Sequence, residues 1–353
     1  MNSQIKSTEI LIVGGGVGGS SLAIHLLQAG ISVTVIDQGQ NKSSVVAAGL
    51  INPLVFRRMT KSWRVDEILP YAVQFYQELE VYSSLSFYHP LTIRRFFSSV
   101  QEREFWTEKQ ELPEFEPYMT RLEDEDDTYT SYGTKNDFGS GRVKSAAWVN
   151  TPIFLEAAKS YLTEYATCLN EAFIYADLNP EEGTYRGKQF DKIIFAEGYQ
   201  SRENPWFLEL PVQSTKGEVL TVLSETLPPE ESINRKCFVL PTGHGHFRIG
   251  ATYSWKADEA NITEEGKLEI LENLSYLTDE EPTIIDHLAG IRPTSPDRRP
   301  IMGQHPDFKR LYIFNGLGTK GYMIAPLLAA EFTAHLIEET ELDPEVNLKR
   351  FKK

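Results

Sequence analysis

Apolar residues near the start of the chain change from a strand pattern to a helix pattern and back again. Residues 10–13 form an uninterrupted apolar run, as expected of a strand buried on both faces. Apolar positions then recur with helical spacing over residues 17–29, and a β-branched run follows Gly30 over residues 31–36. The pattern predicts a β-α-β unit in which Gly30 forms the turn into the second strand.

Three glycines lie between the first strand and the helix of this unit. Gly14, Gly16 and Gly19 have the spacing G-x-G-x-x-G, and Asp37 stands eighteen residues after the last of them. In dinucleotide-binding units such glycines permit a tight turn, backbone approach to a pyrophosphate and close helix–strand packing. The helix N-terminus favours the phosphate charge, and the acid accepts hydrogen bonds from a ribose. The sequence therefore predicts dinucleotide binding rather than a simple glycine-rich turn.

Two later blocks have a different pattern. Residues 82–145 and 212–285 contain strand-like runs separated by charged segments and glycine turns, including a predicted hairpin at 138–141. Such a pattern is typical of an antiparallel sheet.

The α/β pattern returns between and after these blocks. A helix is predicted to begin with Thr151 as its cap, followed by a strand at 172–176 and a buried strand within 190–198. We therefore predict an α/β fold, α+β in total, with a discontinuous Rossmann-like domain and an inserted, mainly antiparallel substrate domain. The predicted boundaries are 1–81, 146–211 and 286–353 for the first domain and 82–145 and 212–285 for the second.

Composition and charge narrow the choice of partners. The 353 residues include 35 basic and 50 acidic side chains, so a net charge of −15 would repel nucleic acid and anionic membranes. The two cysteines, Cys168 and Cys237, imply no disulfide framework. His244 and His246 lack a third ligand at a recognisable spacing, so no metal is expected. Neither a signal peptide nor a membrane-spanning apolar run is apparent, which favours a cytoplasmic location.

The C-terminal part of the chain contains two further candidate binding elements. Gly316, Gly318 and Gly321 give residues 315–321 a flexible backbone that opens directly into a helix, whose N-terminus can hold negative charge. Upstream, Arg292 precedes a proline and can bind a carboxylate bidentately through its guanidinium group.

Taken together, six segments resemble the D-amino-acid-oxidase-like family of FAD-dependent oxidoreductases, on the glycine and sarcosine oxidase side. In chain order they are ILIVGGGVGGSSLAIHL with VTVID, AAGL, FDKIIFAEG, FVLPTGHGHFRIGATY, GIRPTSPDRRPIMG and LGTKGYMIAP. The resemblance implies that the discontinuous domain binds FAD and that the inserted domain binds the substrate. The last segment is also similar to the oxidase domain of the bifunctional enzyme that trims carboxymethylaminomethyl-uridine in tRNA.

The resemblance also implies which residues contact FAD. Gly14, Gly16 and Gly19 would face the pyrophosphate, and Asp37 the adenosine ribose. The other implied cofactor-binding residues are Val17, Gly18, Gln38, Ser43, Ser44, Ala48, Gly49, Leu50, Phe173, Ala196, Gly198, Gly318, Thr319, Lys320, Gly321, Tyr322 and Met323. Arg292 matches the family's carboxylate-binding arginine, and Lys320 lies where relatives place a second basic residue; both are candidate catalytic residues.

Two departures from the family pattern bear on the chemistry. Phe238 stands where some amine oxidases carry a tyrosine that helps to hold the substrate. The C-terminal region has no cysteine at which sarcosine oxidases attach FAD, so noncovalent FAD is expected.

The main hypothesis is an enzyme that oxidises the C–N bond of a small amino acid or N-substituted glycine. A hydride would pass from Cα to flavin N5, water would hydrolyse the imine, and O2 or a quinone would accept the electrons. Two alternatives stay open. One is tRNA trimming, with a basic cluster at residues 57–64 as the contact, although the acidic charge disfavours it. The other is a flavoprotein subunit without turnover of its own.

Overall fold

The computed structural model describes residues 8–39, 43–125, 129–255 and 259–351. The α-helices are α1 (Val17–Gln28), α2 (Ser43–Val46), α3 (Val65–Ser83), α4 (Val100–Lys109), α5 (Thr151–Tyr165), α6 (Glu264–Ser275) and α7 (Gly321–Glu338). The strands are β1 (Glu9–Val13), β2 (Ser32–Ile36), β3 (Leu50–Ile51), β4 (Leu54–Val55), β5 (Thr60–Lys61), β6 (Tyr88–Phe96), β7 (Ser140–Val149), β8 (Thr167–Leu169), β9 (Leu178–Asn179), β10 (Thr184–Tyr185), β11 (Lys188–Gln189), β12 (Lys192–Phe195), β13 (Gln213–Leu223), β14 (Ser232–Asn234), β15 (Phe238–Gly243), β16 (His246–Gly250), β17 (Ser254–Trp255), β18 (Thr283–Thr294), β19 (Ile301–Gln304) and β20 (Leu311–Asn315). Within the described ranges, none of the helices is both long and apolar enough to cross a bilayer.

One sheet of six strands contains the predicted β-α-β unit. Its strand order is β19-β20-β12-β1-β2-β8, and all neighbours run parallel except the edge pair of β19 and β20. Helices α1 and α3 both pack against α5 and α7. Their buried faces, with Leu22, Ala23, Phe154 and Phe332, belong to the same apolar core as Ile10 and Ile12 of the central strand. Burial on both faces explains why β1 is a continuous apolar run.

A second sheet of nine strands is mainly antiparallel, as predicted. Its order is β17-β13-β16-β15-β14-β6-β7-β3, and β18 pairs with β13. Only β14 and β6 pair in parallel among the described strands of this sheet. The sheet also takes β3 and most of β18 from the ranges that were predicted for the other domain. The domain boundaries therefore stay a prediction, while the two architectures are both present.

Two local predictions are wrong. Residues 172–176 do not form a strand, and the outer strand of the six-stranded sheet is β8. Phe173 instead stacks on Tyr185, with 4.4 Å between the ring centroids, and packs edge-on against Phe195. Residues 138–141 do not form a hairpin, because Ser140 already begins β7, which pairs with β6. The apolar residues at 172–176, whose pattern predicted a strand, include Phe173, which takes part in aromatic packing instead.

The predicted helix cap and the segment around Arg292 also need correction. The N-cap of α5 is Asn150, because the helix begins at Thr151, whose hydroxyl donates to the Val45 carbonyl, 2.8 Å away. The twelve residues of β18 were not predicted as a strand. Gly290 and Pro293 interrupt their apolar pattern, but both lie in the antiparallel ladder with β13.

Candidate functional site

A cavity of about 520 Å³ is lined by residues from both the N-terminal and the C-terminal parts of the chain. Its walls are the carboxyl ends of β1, β2 and β12, one face of the nine-stranded sheet, and the loop before α7. The predicted residues that line it are Gly14, Gly16, Val17, Gly18, Asp37, Gln38, Ser43, Ser44, Ala48, Gly49, Leu50, Phe173, Ala196, Gly198, Arg292, Gly318, Thr319, Lys320, Gly321 and Tyr322. Two predicted residues, Gly19 and Met323, do not line the cavity.

The glycine loop before α1 has no room for side chains. Gly14 has a φ of +105°, and a methyl group added to it would lie 2.5 Å from the Ala196 carbonyl oxygen. A methyl group on Gly19 would lie 1.9 Å from the Gly14 carbonyl oxygen, so Gly19 serves the contact between α1 and the loop. The first turn of α1 contains no acidic side chain, and its amides favour an anion in the cavity.

Two side chains from neighbouring segments hold this loop. The Asp37 carboxylate accepts hydrogen bonds from the amides of Gly15 and Gly39, both at 2.7 Å. Each carboxylate oxygen has two acceptor sites, so Asp37 can still accept from a ribose hydroxyl. The Ser44 hydroxyl accepts from the Val17 amide at 3.0 Å and thereby caps α1 from outside the helix.

The opposite end of the cavity is formed by a second helix N-terminus. Helix α7 begins at Gly321 after Gly318, which has a φ of +59°, and its first turn also has no acidic side chain. The Tyr322 hydroxyl donates to the Ser44 carbonyl at 2.8 Å, which ties α7 to the segment that caps α1. Both helices therefore point their positive ends into one cavity.

Lys320 lies at the start of α7 with its ammonium group surrounded by oxygen atoms. Its Nζ donates to the carbonyls of Asn52 and Leu54, at 2.6 and 3.2 Å, and to the Ser62 hydroxyl. Burial lowers the pKa of Lys320 to about 7. The three oxygen acceptors nevertheless suit the charged form of the side chain, which has three N–H donors. These contacts favour a positioning role, in which Lys320 holds segment 52–62 against α7. Its assignment as a catalytic residue stays a prediction.

Arg292 differs in its partners from Arg94 and Arg95, whose side chains are buried. Arg94 and Arg95 pair with glutamates, whereas no acidic side chain in the described ranges pairs with Arg292. Its closest acceptor is the Thr252 carbonyl at 3.5 Å, and its guanidinium carbon lies 5.7 Å from the Tyr253 ring centroid. Burial lowers the pKa of Arg292, yet an arginine stays charged at neutral pH. A half-buried cation without a counterion, facing a cavity, is suited to binding an anionic ligand.

Glu197 is a cavity residue that sequence reasoning missed. It follows β12, and its carboxyl group accepts from the Tyr175 hydroxyl at 2.6 Å and from Asn204 Nδ2 at 2.9 Å. Burial raises the pKa of Glu197 to about 7. The sequence signal for Glu197 is its position directly after a buried strand in FAEG, where the prediction names only Ala196 and Gly198 as cofactor-binding residues.

The basic cluster at residues 57–64 is largely neutralised within the chain. Lys61 pairs with Asp66, and Arg64 pairs with Glu331 and Glu67. Of the four basic residues of this cluster, Arg57 and Arg58 are exposed and have no ion pair among the described residues. The cluster therefore offers few free charges to a nucleic acid.

Comparison with known proteins identifies the family. The family model described as FAD dependent oxidoreductase (DAO) matches residues 9–336, and the chain belongs to this family. FAD is accordingly its cofactor, and the residues present fit that group. The crowded glycine loop leaves only backbone to meet a pyrophosphate, and two helix N-termini share a cavity of the size that ligands occupy.

Three similar proteins illustrate the relationship. A glycine oxidase of Pseudomonas putida is 26% identical over 96% of this chain and 97% of its own length. The bifunctional tRNA 5-methylaminomethyl-2-thiouridine biosynthesis protein of Idiomarina loihiensis is 24% identical over 98% of this chain, which spans only 59% of that relative. The crystal structure of iminodiacetate oxidase from Chelativorans sp. BNC1 superposes with a TM-score of 0.79 at 21% identity, covering 97% of this chain and 98% of the other.

Proposed function

We propose that this member of the FAD-dependent oxidoreductase family oxidises the C–N bond of a small amino acid or N-substituted glycine. The observation that carries the proposal is Arg292, a half-buried guanidinium without a counterion in the cavity that the cofactor-binding glycine loop also lines. The similarity to a glycine oxidase and to an iminodiacetate oxidase supports the same substrate class.

The substrate carboxylate would bind to Arg292 in the bidentate manner that its guanidinium group permits. Because Arg292 is held on a long strand next to Gly217, the carboxylate would be fixed and the Cα–H would be oriented within the cavity. The amine must be unprotonated, since its lone pair assists departure of the hydride. FAD, when bound, would accept the hydride, which carries both electrons of this oxidation. Water then hydrolyses the imine product to a carbonyl compound and an amine.

FAD would be held at both ends of the cavity mainly by backbone groups. The loop of Gly14 and Gly16 with the N-terminus of α1 would bind the pyrophosphate, and Asp37 the adenosine ribose. Residues 318–323 at the N-terminus of α7 would meet the flavin end, where a positive helix end favours the negative charge that reduction adds.

Replacing Arg292 tests the proposal directly. Arg292→Ala should lower kcat/KM for the substrate by about 10²- to 10⁴-fold, corresponding to about 3–5 kcal/mol, because the carboxylate loses its counterion. The measurement is anaerobic flavin reduction by glycine, sarcosine and N-carboxymethyl amines, at equal FAD content. Arg298→Ala, which removes an exposed arginine from the next turn, is the matched control. An unchanged kcat/KM in Arg292→Ala would show that Arg292 does not bind the substrate.

The same experiment separates the proposal from the non-catalytic alternative. Bleaching of the flavin band by any member of the panel demonstrates turnover chemistry, and a flavoprotein subunit without substrate would show none. Reoxidation of the bleached enzyme by O2 or by a soluble quinone then identifies the electron acceptor.

A further inference from the structure

We infer that the substrate carries a hydrogen-bond-accepting oxygen at the end remote from its carboxylate, and that Asn234 binds this oxygen. The inference rests on the proposed function, since it takes Arg292 as the carboxylate site. It adds a second polar contact on the opposite side of the cavity. Asn234 is not singled out by any motif in the sequence.

The carboxylate end of the cavity lies over β13. A methyl group added to Gly217 would lie 2.0 Å from Arg292 Nη2, so the guanidinium group covers this glycine. Arg292 therefore reaches across from β18 to the neighbouring strand. Gly217 and Val219, two residues further along, face the same side of the sheet and both line the cavity.

Asn234 lies in the same sheet, three strands away from β13. Val219 is opposite Gly250, Gly250 is opposite Phe238, and Phe238 is opposite Asn234, in the order β13-β16-β15-β14. Three spacings of about 4.8 Å across the sheet, with two residues or about 7 Å along β13 from Val219 to Gly217, place Asn234 about 16 Å from the Arg292 end. Glycine spans only about 4 Å from carboxylate to amine, so it cannot contact both ends.

The amide of Asn234 is oriented by a buried ion pair. Arg95, its neighbour on β6, donates from Nη1 to Asn234 Oδ1 and to the Arg235 carbonyl. Arg95 is itself held by Glu102, which accepts from Nη2 at 2.6 Å and from Nε at 3.0 Å. Because arginine can only donate, Oδ1 must face Arg95, and Nδ2 is left for the cavity.

The surroundings of Asn234 favour a ligand that carries a hydrogen-bond acceptor. Nδ2 has no acceptor in the described part of the chain, so its N–H groups are available to a ligand. Phe238 and Phe56 line the cavity beside it, and Phe56 also covers the Arg95 guanidinium at 4.9 Å. A glycine whose nitrogen carries an arm ending in a carbonyl or carboxylate oxygen would place the arm along these rings. Its length, about 7 Å plus two hydrogen bonds of about 3 Å, covers about 13 Å and thus most of this separation.

The test compares two probes of nearly equal shape, N-(carbamoylmethyl)glycine and N-isobutylglycine. The wild-type holoenzyme should prefer the first by about 10-fold or more in kcat/KM for anaerobic flavin reduction, each value referred to the unprotonated amine, because only its arm accepts from Asn234. Asn234→Asp keeps the acceptor for Arg95 but cannot donate into the cavity. This variant should lose the preference for the carbamoyl arm and gain activity towards N-(2-aminoethyl)glycine. Asn273→Asp on α6, which adds the same charge outside the cavity, is the control.

A second variant tests the role of Arg95 in positioning. Arg95→Lys keeps the positive charge but removes the fork that fixes Asn234, so the preference ratio should fall towards that of Asn234→Asp. A loss of stability alone would lower both rates and leave their ratio unchanged.

The possible failures are distinguishable. If both probes reduce the wild-type flavin equally, or Asn234→Asp keeps the wild-type ratio, the inference about Asn234 is wrong while amine oxidation stands. If neither these probes nor any glycine derivative reduces the flavin, the proposed function fails with it.

Discussion

Glu197 shows how one side chain can make the stability of the molecule depend on pH. Its folded pKa of about 7 lies above the ordinary value of 4.5, because the carboxyl group is buried. Between these values the folded state binds more protons than the unfolded state, so the free energy of unfolding falls as pH rises from about 4.5 to 7. The loss is fully present above pH 7 and amounts to at most about 3 kcal/mol.

Glu197→Gln removes this titration. The variant should gain stability relative to wild type between pH 5 and pH 8, whatever constant cost arises from its changed hydrogen bonds to Tyr175 and Asn204. Urea unfolding at the two pH values, with saturating FAD, measures the difference. Glu209→Gln, at an exposed residue outside the cavity, should leave the pH dependence unaltered. Equal slopes for Glu197→Gln and wild type would mean that the buried carboxyl group titrates normally.

Sequence reasoning found residues whose function follows from local spacing and missed those whose function depends on distant partners. Asp37 and the glycines were found because the β-α-β unit fixes their relation over a short stretch. Asn234 acquires its orientation from Arg95, 139 residues earlier, and no local pattern records that contact. Lys320 was found by position, but its three oxygen partners were not predictable.

At the scale of elements, the contact between α1 and the loop after β1 is the most sensitive to substitution. Gly19→Ala would place a methyl group 1.9 Å from the Gly14 carbonyl, and a backbone atom cannot move without displacing the loop. We expect a loss of about 1–3 kcal/mol in stability and at least a 10-fold weaker affinity for FAD. Gly18→Ala, whose methyl group would meet the movable Leu317 side chain at 3.0 Å, should be milder. Equal FAD affinities, measured by flavin fluorescence titration, would contradict this account.

The elements that could be predicted are those with an uninterrupted period. β1, α1 and β2 have such a pattern, and the structure contains them within two residues of the predicted bounds, while α7 follows the glycine loop as predicted. β18 was missed although it carries Arg292. Antiparallel pairing with β13 overrides the poor strand propensity of its glycine and proline, and such pairing cannot be deduced from one segment.

At the scale of the whole molecule, the site is assembled from segments more than 300 residues apart. The cavity joins Gly14 to Gly321, with Arg292 between them in sequence. Local patterns identified each segment, and the family resemblance predicted that the segments belong to one cofactor and substrate site. The predicted domain boundaries do not coincide with the nine-stranded sheet, because β3 and most of β18 belong to this sheet but lie in ranges predicted for the other domain.

The position of the cysteines in the folded molecule bears on how FAD is attached. Cys168 lies exposed on β8, Cys237 is buried between β14 and β15, and neither lines the cavity. Without a thiol at the flavin end, attachment through sulfur is not available, and we predict that FAD is released when the chain unfolds. Acid denaturation followed by filtration should recover all of the flavin in the filtrate, with an absorbance spectrum equal to that of free FAD. Flavin retained with the precipitated wild-type protein, and still retained in a Cys168→Ser, Cys237→Ser double variant, would instead demonstrate a covalent bond to another side chain.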